Sequence, residues 1–444
     1  MHALEQLQCG ALQGAIRLDL SCNLTAVPPE VFSLADTLEV LNLSGNQLSS
    51  LPPDLPRLHK LKVIFCSDNR FTELPEVLGQ CKALQIIGFK ANRIATVSGA
   101  ALPPALRWLI LTDNVITHLP IELGQRPALQ KLMLAGNQLS SLPDSLANAT
   151  RLELVRLSAN ALTQVPAWLS ALPRLSWLAL AGNPLGWHRP APAALVAVPW
   201  LALQVQGLLG QGASGHIYRV QQVSGAPGTM PGRGPDWALK VFKGAMTSDG
   251  LPEHELAACL AAGQHAALCT PSAVVQDHPQ DAQAFLLPLI PATHINLAGP
   301  PSLGSCTRDV YPTSLRIPAA TVVQMARALA TALAHLHQRG VLHGDVYAHN
   351  ILWNPATGDA LLSDFGAATL LPLDEPDVCR ALMALEVRAY GCLLEELLAH
   401  TEPVQPDTRD LGTVMQKLTA LTQACLLDTP SARPSMDDVV LHIS

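Results

Sequence analysis

Charge is scarce in this chain of 444 residues. Asp, Glu, Lys and Arg together make up 14%, and 8 lysines stand against 20 arginines. With a net charge of −7, the sequence lacks the cationic excess that holds a nucleic-acid backbone. With 49% apolar residues it is not a disordered, self-repelling polymer either. Ten cysteines lie scattered from Cys9 to Cys425 with no Cys-x-x-Cys spacing, which excludes a disulfide scaffold and a cysteine zinc site and points to free thiols in a reducing compartment. Long hydrophobic runs are missing as well. The most apolar window, residues 191–205, is interrupted by Pro192 and Pro199 and is too short to cross a bilayer. Met1-His2-Ala3-Leu4-Glu5 offers neither the basic nor the apolar region of a secretory leader. A cytoplasmic protein is expected, with neither nucleic acid nor membrane as partner. The Ala/Leu/Arg-rich, Lys-poor usage points to a GC-rich bacterial genome.

What is present is enough apolar residue for two or more buried cores. Residues 1–200 carry 15 basic and 13 acidic groups, leaving 13 and 22 for residues 201–444, so the halves differ in character. The first half is periodic. Asn23, Asn46, Asn69, Asn92, Asn114, Asn137, Asn160 and Asn183 follow one another at 22 or 23 residues, with apolar residues five and three positions before each, as in Leu41/Leu43 and Leu132/Leu134. Such a period specifies one supersecondary unit per repeat. Its alternating pair predicts a short strand with leucines turned into a shared core, and its Asn a ladder of side-chain bonds to neighbouring turns. The pattern resembles the leucine-rich repeat family, with eight copies over 16–185 in a domain spanning 1–186. No single repeat buries its own inner face, so the stack stabilises as a whole.

Positions four and six before each Asn are expected to face outward on the concave sheet. There Val63, Phe65, Ile86, Trp108, Ile110, Met133, Arg156 and Trp177 form a surface more apolar than solvent requires. Such a patch marks a protein substrate or partner, or else packs against the second half of the same chain. Residues 187–204, with Pro190, Pro192 and Pro199 between Trp187 and Trp200, are expected to be a cap and semi-rigid connector.

Beyond the connector, Leu209-Gly210-Gln211-Gly212-Ala213-Ser214-Gly215-His216-Ile217 lies between two strand-like runs, Val205–Leu209 and Ile217–Val223. Gly-x-Gly-x-x-Gly is a weak signal alone. Here no helix start follows it, which favours a glycine hairpin closing over phosphates, with Ile217 above the base. A Gly/Pro-rich segment, 224–235, is expected to be a surface loop. Trp237-Ala238-Leu239-Lys240-Val241-Phe242 then puts one lysine in an apolar strand, a costly placement unless it meets an anion. The helix predicted from Pro252 to Gly263 offers Glu255, or else Glu253, to orient it. Farther on, an amphipathic helix over 318–340 delivers the chain into His343-Gly344-Asp345, with Asn350 five residues after Asp345 and Asp364-Phe365-Gly366 beyond. One carboxylate to orient a hydroxyl, then an amide and a second carboxylate for a metal, is the set that phosphoryl transfer requires.

These motifs, with Ala432-Arg433-Pro434 near the end, resemble the protein-kinase catalytic domain over 205–444, with an N-lobe of about 205–290 and a C-lobe of about 291–444. The resemblance implies Asp345 as base, Lys240 as phosphate clamp, and Asn350 and Asp364 as Mg²⁺ ligands. It also implies Leu209, Gly210, Gly212, Gly215, Ile217, Ala238 and Glu255 around ATP. The expected architecture is multidomain α/β plus α+β, a leucine-rich-repeat solenoid followed by a two-lobed kinase-like fold. Four departures stand out. Gly344 replaces the arginine usual before the base, and Tyr347 and His349 fit neither the serine/threonine nor the tyrosine preference. The activation segment is short, with Glu375 filling the Ala-Pro-Glu slot. Glu386 stands where an Asp usually opens the next helix, and Arg433 is expected to pair with Glu375. Between Gly366 and Tyr390 only Thr369 carries a hydroxyl, so no phosphorylation switch is expected there. The leading expectation is an ATP- and Mg²⁺-dependent protein kinase, serine/threonine by default, that uses its repeats for recognition. A silent kinase-like scaffold and a small-molecule phosphotransferase, which shares His-Gly-Asp with Asn five residues on, are the alternatives.

Overall fold

Aliphatic residues placed at the centre of each repeat strand build the first part of the molecule. Strands β1 (Arg17–Asp19), β2 (Val40–Asn42), β3 (Val63–Phe65), β4 (Ile86–Gly88), β5 (Trp108–Ile110), β6 (Lys131–Met133) and β7 (Leu154–Arg156) pair in parallel, each with the next in sequence. Their central residues, such as Leu18, Leu41, Ile64, Ile87 and Leu109, are fully buried. Between strands the chain returns through short 3₁₀ turns such as Pro29–Leu34 and Ile121–Gln125, several entered from a proline whose fixed φ suits a helical start. Helices α1 (Leu4–Gln8) and α2 (Ala167–Ala171) complete this part.

The asparagine ladder is present. Asn137 accepts from Ile116 N (3.0 Å) and donates to Leu111 O (2.9 Å) and Leu134 O (3.0 Å). The same set recurs at Asn46, Asn92, Asn114 and Asn160. These amides satisfy buried backbone groups that a turn without a regular partner would strand.

The computed structural model describes residues 3–187, 195–212, 214–223, 236–244, 246–247, 249–403 and 409–443. The loop expected over 224–235, together with Pro190 and Pro192, lies outside them. Two compact units divide the chain: residues 1–175 with 183–186, and residues 176–182 with 187–444. The eighth repeat's strand, β8 (Trp177–Ala179), thus belongs to the second unit.

On the concave face, Val63, Ile86, Met133, Arg156 and Trp177 are buried and Phe65, Trp108 and Ile110 half-buried. Neighbouring side chains lie across one another there. Phe65 lies across Gly88, Lys131 sets its ammonium 4.2 Å over the Trp108 ring, and Trp108 Nε1 meets Met133 Sδ at 3.3 Å. One expectation changes here. The connector holds regular structure, since β9 (Val196–Pro199) pairs in parallel with a strand of the second unit and buries Val198 in its core.

That second unit has a six-stranded sheet in the order β10 (Leu203–Gln211), β11 (Gly215–Gln222), β12 (Asp236–Phe242), β14 (Ala284–Pro288), β13 (Ala273–Gln276), β9, with helix α3 (Pro252–Ala262) beside it. A helical half follows. It comprises α4 (Ala319–Gln338), α5 (Pro376–Ala399), α6 (Arg409–Cys425) and α7 (Met436–Ile443), with short strands β15 (Ile295–Asn296), β16 (Val341–Leu342), β17 (Ile351–Trp353), β18 (Ala360–Leu362) and β19 (Thr369–Leu370). By length and composition α4 passes as a membrane span, yet its apolar stripe, including Val322, Met325, Leu329, Leu333 and Leu336, is buried in this half.

Replacing Asn137 with leucine removes three bonds to buried backbone groups and should lower the unfolding free energy by about 3 kcal/mol. Chemical denaturation followed by circular dichroism checks this, and an unchanged midpoint would refute the ladder's contribution.

Candidate active site

Strand alternation decides where the lone strand lysine points. Trp237, Leu239 and Val241 of β12 face the sheet's core with Val220 and Leu286, while Ala238, Lys240 and Phe242 turn to the opposite side. There Lys240, buried to 8% exposure, meets Glu255 of α3, itself buried. Burial alone would lower the lysine's pKa, but Glu255 and Asp364 carry it above the ordinary value. The ammonium therefore stays charged. Glu253 is exposed, which settles the choice between the two glutamates.

Across from it, α4 and β16 deliver the chain into His343-Gly344-Asp345. Asn350 Nδ2 donates to Asp345 Oδ2 (2.8 Å) and to Asp345 O (3.0 Å), which leaves Asn350 Oδ1 for a cation. Ser363 N and Oγ both donate to the Asn350 carbonyl, at 2.9 and 2.8 Å, and bring the following Asp364 alongside. Asp364 sits at φ +62°, a left-handed conformation uncommon outside glycine. The post-Gly366 strand β19 pairs antiparallel with β16.

A cavity of about 390 Å³ opens between the sheet and the helical half. Leu209, Gly212, Gly215, Ile217, Ala238, Lys240, Glu255, Asn350 and Asp364 line it, together with Phe285, Leu287 and His349. Of the expected site residues, Gly210 stays in the hairpin strand opposite Ile217, and Asp345 is held beside the cavity through Asn350. Gly215 is required by close packing, because a Cβ there would lie 2.5 Å from the Val241 carbonyl oxygen. The donor set fits a magnesium nucleotide. Among the described residues no group of three or more His, Cys, Asp or Glu is placed to hold a metal. One amide oxygen and one carboxylate suit Mg²⁺, which keeps waters and shares phosphate oxygens.

The chain matches the protein kinase domain family over residues 203–443. It belongs to that family. The repeat half matches the leucine-rich-repeat families over residues 36–75, 104–162 and 127–185, so repeats precede a kinase domain in one chain. Similar curated proteins include glycogen synthase kinase 1 of Pyricularia oryzae, 44% identical over 110 residues (21% of this chain, 28% of that protein). The serine/threonine-protein kinase US3 homolog of bovine herpesvirus 1.2 is 35% identical over 119 residues (27% and 24%). Protein kinase gsk3 of Schizosaccharomyces pombe is 30% identical over 87 residues (16% and 22%). The chain thus spans under a third of these relatives' lengths. A solved leucine-rich-repeat protein of Leptospira interrogans is 26% identical, with a TM-score of 0.34 over 41% of this chain and 52% of that one.

Within the kinase domain, three sequence expectations are corrected. Glu375 is not part of a separate Ala-Pro-Glu element but the exposed N-cap of α5, which starts at Pro376. Glu386 does not open a helix. It lies ten residues inside α5, fully buried, accepting from Gly344 N (2.7 Å) and facing His337 Nε2 (2.9 Å). Those partners hold its carboxyl below the ordinary range although burial alone would raise it. Arg433 donates to Leu427 O and Ala384 O, both at 2.8 Å, rather than to Glu375, which lies at the exposed start of the helix that carries Ala384.

One pair beside the cavity escaped sequence reasoning. Asp309 Oδ2 accepts from His349 N (2.9 Å) and its Oδ1 lies 2.7 Å from His349 Nδ1. Forty residues separate the partners, and no local pattern marks Asp309. Burial lowers the His349 pKa, but Asp309, with Asp345 and Asp364, raises it beyond the ordinary value. A histidine four positions after Asp345 was the only available signal.

Two measurements follow. Glu255→Ala strands a buried ammonium and should cost about 3–5 kcal/mol of stability; equal urea midpoints for parent and variant would refute the pair. For His349, the raised pKa means that the charged pair stabilises the fold fully below the ordinary histidine value and loses that contribution as pH rises through the folded pKa. Ring-proton NMR titration should give His349 a midpoint above an exposed histidine's, falling in Asp309→Asn. A midpoint untouched by that change would contradict the assignment.

Proposed function

We propose that the kinase domain transfers the γ-phosphoryl group of ATP, with Mg²⁺, to a protein hydroxyl, serine or threonine by default, and that the repeats recognise the protein partner. The observation that carries this reading is the convergence of Lys240–Glu255 with Asp345, Asn350 and Asp364 at one cavity. A silent scaffold has no need to keep Lys240, Glu255, Asp345, Asn350 and Asp364 together at one cavity.

Each residue has a distinct task. Lys240, pinned by Glu255, supplies a fixed positive charge for the α- and β-phosphates. Asn350 Oδ1 and the Asp364 carboxylate would hold the metal, which when bound neutralises charge building on the phosphate oxygens. Asp345, steadied by Asn350 Nδ2, orients the acceptor hydroxyl and takes its proton. The glycine hairpin of β10 and β11 covers the phosphates, and Leu209, Ile217, Ala238 and Leu287 give the base an apolar slot. Serine/threonine preference draws on the herpesvirus relative, whose own name carries it. Against a small-molecule acceptor stands the family match to protein kinases. All ten cysteines are unpaired, two of them exposed, which supports a reducing, cytoplasmic setting.

ADP release and phosphate transfer with Mg²⁺-ATP test this directly. The parent should turn over, Asp345→Asn should lose roughly 10²-fold or more, and Lys240→Ala should fall comparably. Equal rates in all three would refute the catalytic reading. Protein and small-molecule acceptors assayed in parallel identify the acceptor class.

A further inference from the structure

Residues 176–182, Ser-Trp-Leu-Ala-Leu-Ala-Gly, belong in sequence to the eighth repeat and in space to the kinase unit. They touch the loops around the cavity at several points. The Trp177 ring stacks on Tyr347 (centroids 4.3 Å apart, planes at 10°), and its Nε1 donates to the Val346 carbonyl at 3.1 Å. Leu180 N donates to Thr369 Oγ1 at 2.9 Å. The Leu178 carbonyl reaches Gly344 so closely that a Cβ there would lie 2.6 Å from it. At Gly182, φ +77°, the His254 ring takes the space a side chain would need, and His254 precedes Glu255 in α3. One heptapeptide thus meets the catalytic loop on both sides of Asp345, the strand after Asp364-Phe365-Gly366, and the helix that holds Lys240's partner.

Resting on the kinase reading above, we propose that residues 176–182 act as a built-in positioning element, with Trp177 fixing the catalytic loop and Leu180 fixing the segment after Gly366. Only nine residues, 367–375, separate Gly366 from the start of α5, too few to form a separate ordering platform. Thr369, the one hydroxyl in that stretch, is fully buried and already bonded, so it cannot receive a phosphate without breaking the contact. Order that other chains gain by charge here comes from stacking and backbone bonds. The contacts hold Asp345, Asn350 and Asp364 in place rather than filling the cavity, so the element promotes catalysis. It also accounts for two of the departures from the kinase pattern. Gly344 leaves room for the Leu178 carbonyl, and Tyr347 supplies the face for Trp177.

The test uses the full chain. With Mg²⁺-ATP at saturation, Trp177→Ala should lower kcat roughly tenfold to a hundredfold while KM for ATP moves less than about threefold, because the phosphate grip is untouched. Trp177→Phe keeps the stack and should recover most of the rate. Thr369→Val removes the acceptor without opening a cavity and should lower kcat while the thermal midpoint falls by only a few degrees, which preserves the test if Trp177→Ala folds poorly. Parent-like kcat in both Trp177→Ala and Thr369→Val overturns the proposal, and so does a rise in kcat, which would make the element inhibitory. A parent no faster than Asp345→Asn would instead sink the kinase reading, and this role with it.

Discussion

The backbone at Gly344 is gripped from two directions, and the catalytic loop takes its shape from that grip. Its N–H is given to the buried Glu386 carboxylate of α5, and its α-carbon faces the Leu178 and Ala367 carbonyls at distances no side chain tolerates. At φ +73° only glycine is comfortable there. An arginine would need both a different backbone and a different neighbour. The residue that looked like damage to the kinase pattern is the residue this arrangement demands.

From that point the rest follows by packing. Glu386 also binds His337 at the end of α4, so α4, α5 and the loop are tied by one buried carboxylate that is stable only because each oxygen has a partner. Asp345 lies one residue beyond Gly344, and Asn350 closes the loop by bonding back to it. The β16–β19 pair then sets Thr369 beside the loop. On the other side of the cavity, strand alternation in β12 is what aims Lys240, and burial is what makes Glu255 indispensable.

Much of this was legible in the sequence because it depends on local patterns. The 23-residue asparagine period predicted the ladder, and the apolar strand around Lys240 predicted a lysine facing an anion. The steps from Asp345 to Asn350 and on to Asp364 marked the three as one set, though not the bond between Asn350 and Asp345. What escaped depends on pairs distant in sequence. Asp309 and His349, Glu386 and Gly344, and Trp177 and Tyr347 are separated by 40, 42 and 170 residues, and although Gly344, Tyr347, His349 and Glu386 stood out as departures, nothing local named their partners. The concave face was legible only in part. Alternation predicts which side chains leave the sheet but not whether neighbours such as Phe65, Trp108 and Lys131 lie across one another. Glu386 was misplaced because family spacing was applied to a chain whose α5 begins ten residues earlier, at Pro376.

The central claim is that Lys240, Asn350 and Asp364 form a single magnesium–nucleotide site. A crystal structure of the full chain with a non-hydrolysable ATP analogue and Mn²⁺, located by anomalous scattering, tests it most directly. The account predicts phosphates at Lys240 Nζ and a metal peak between Asn350 Oδ1 and the Asp364 carboxylate. A nucleotide bound elsewhere, or a metal that contacts neither residue, would contradict it.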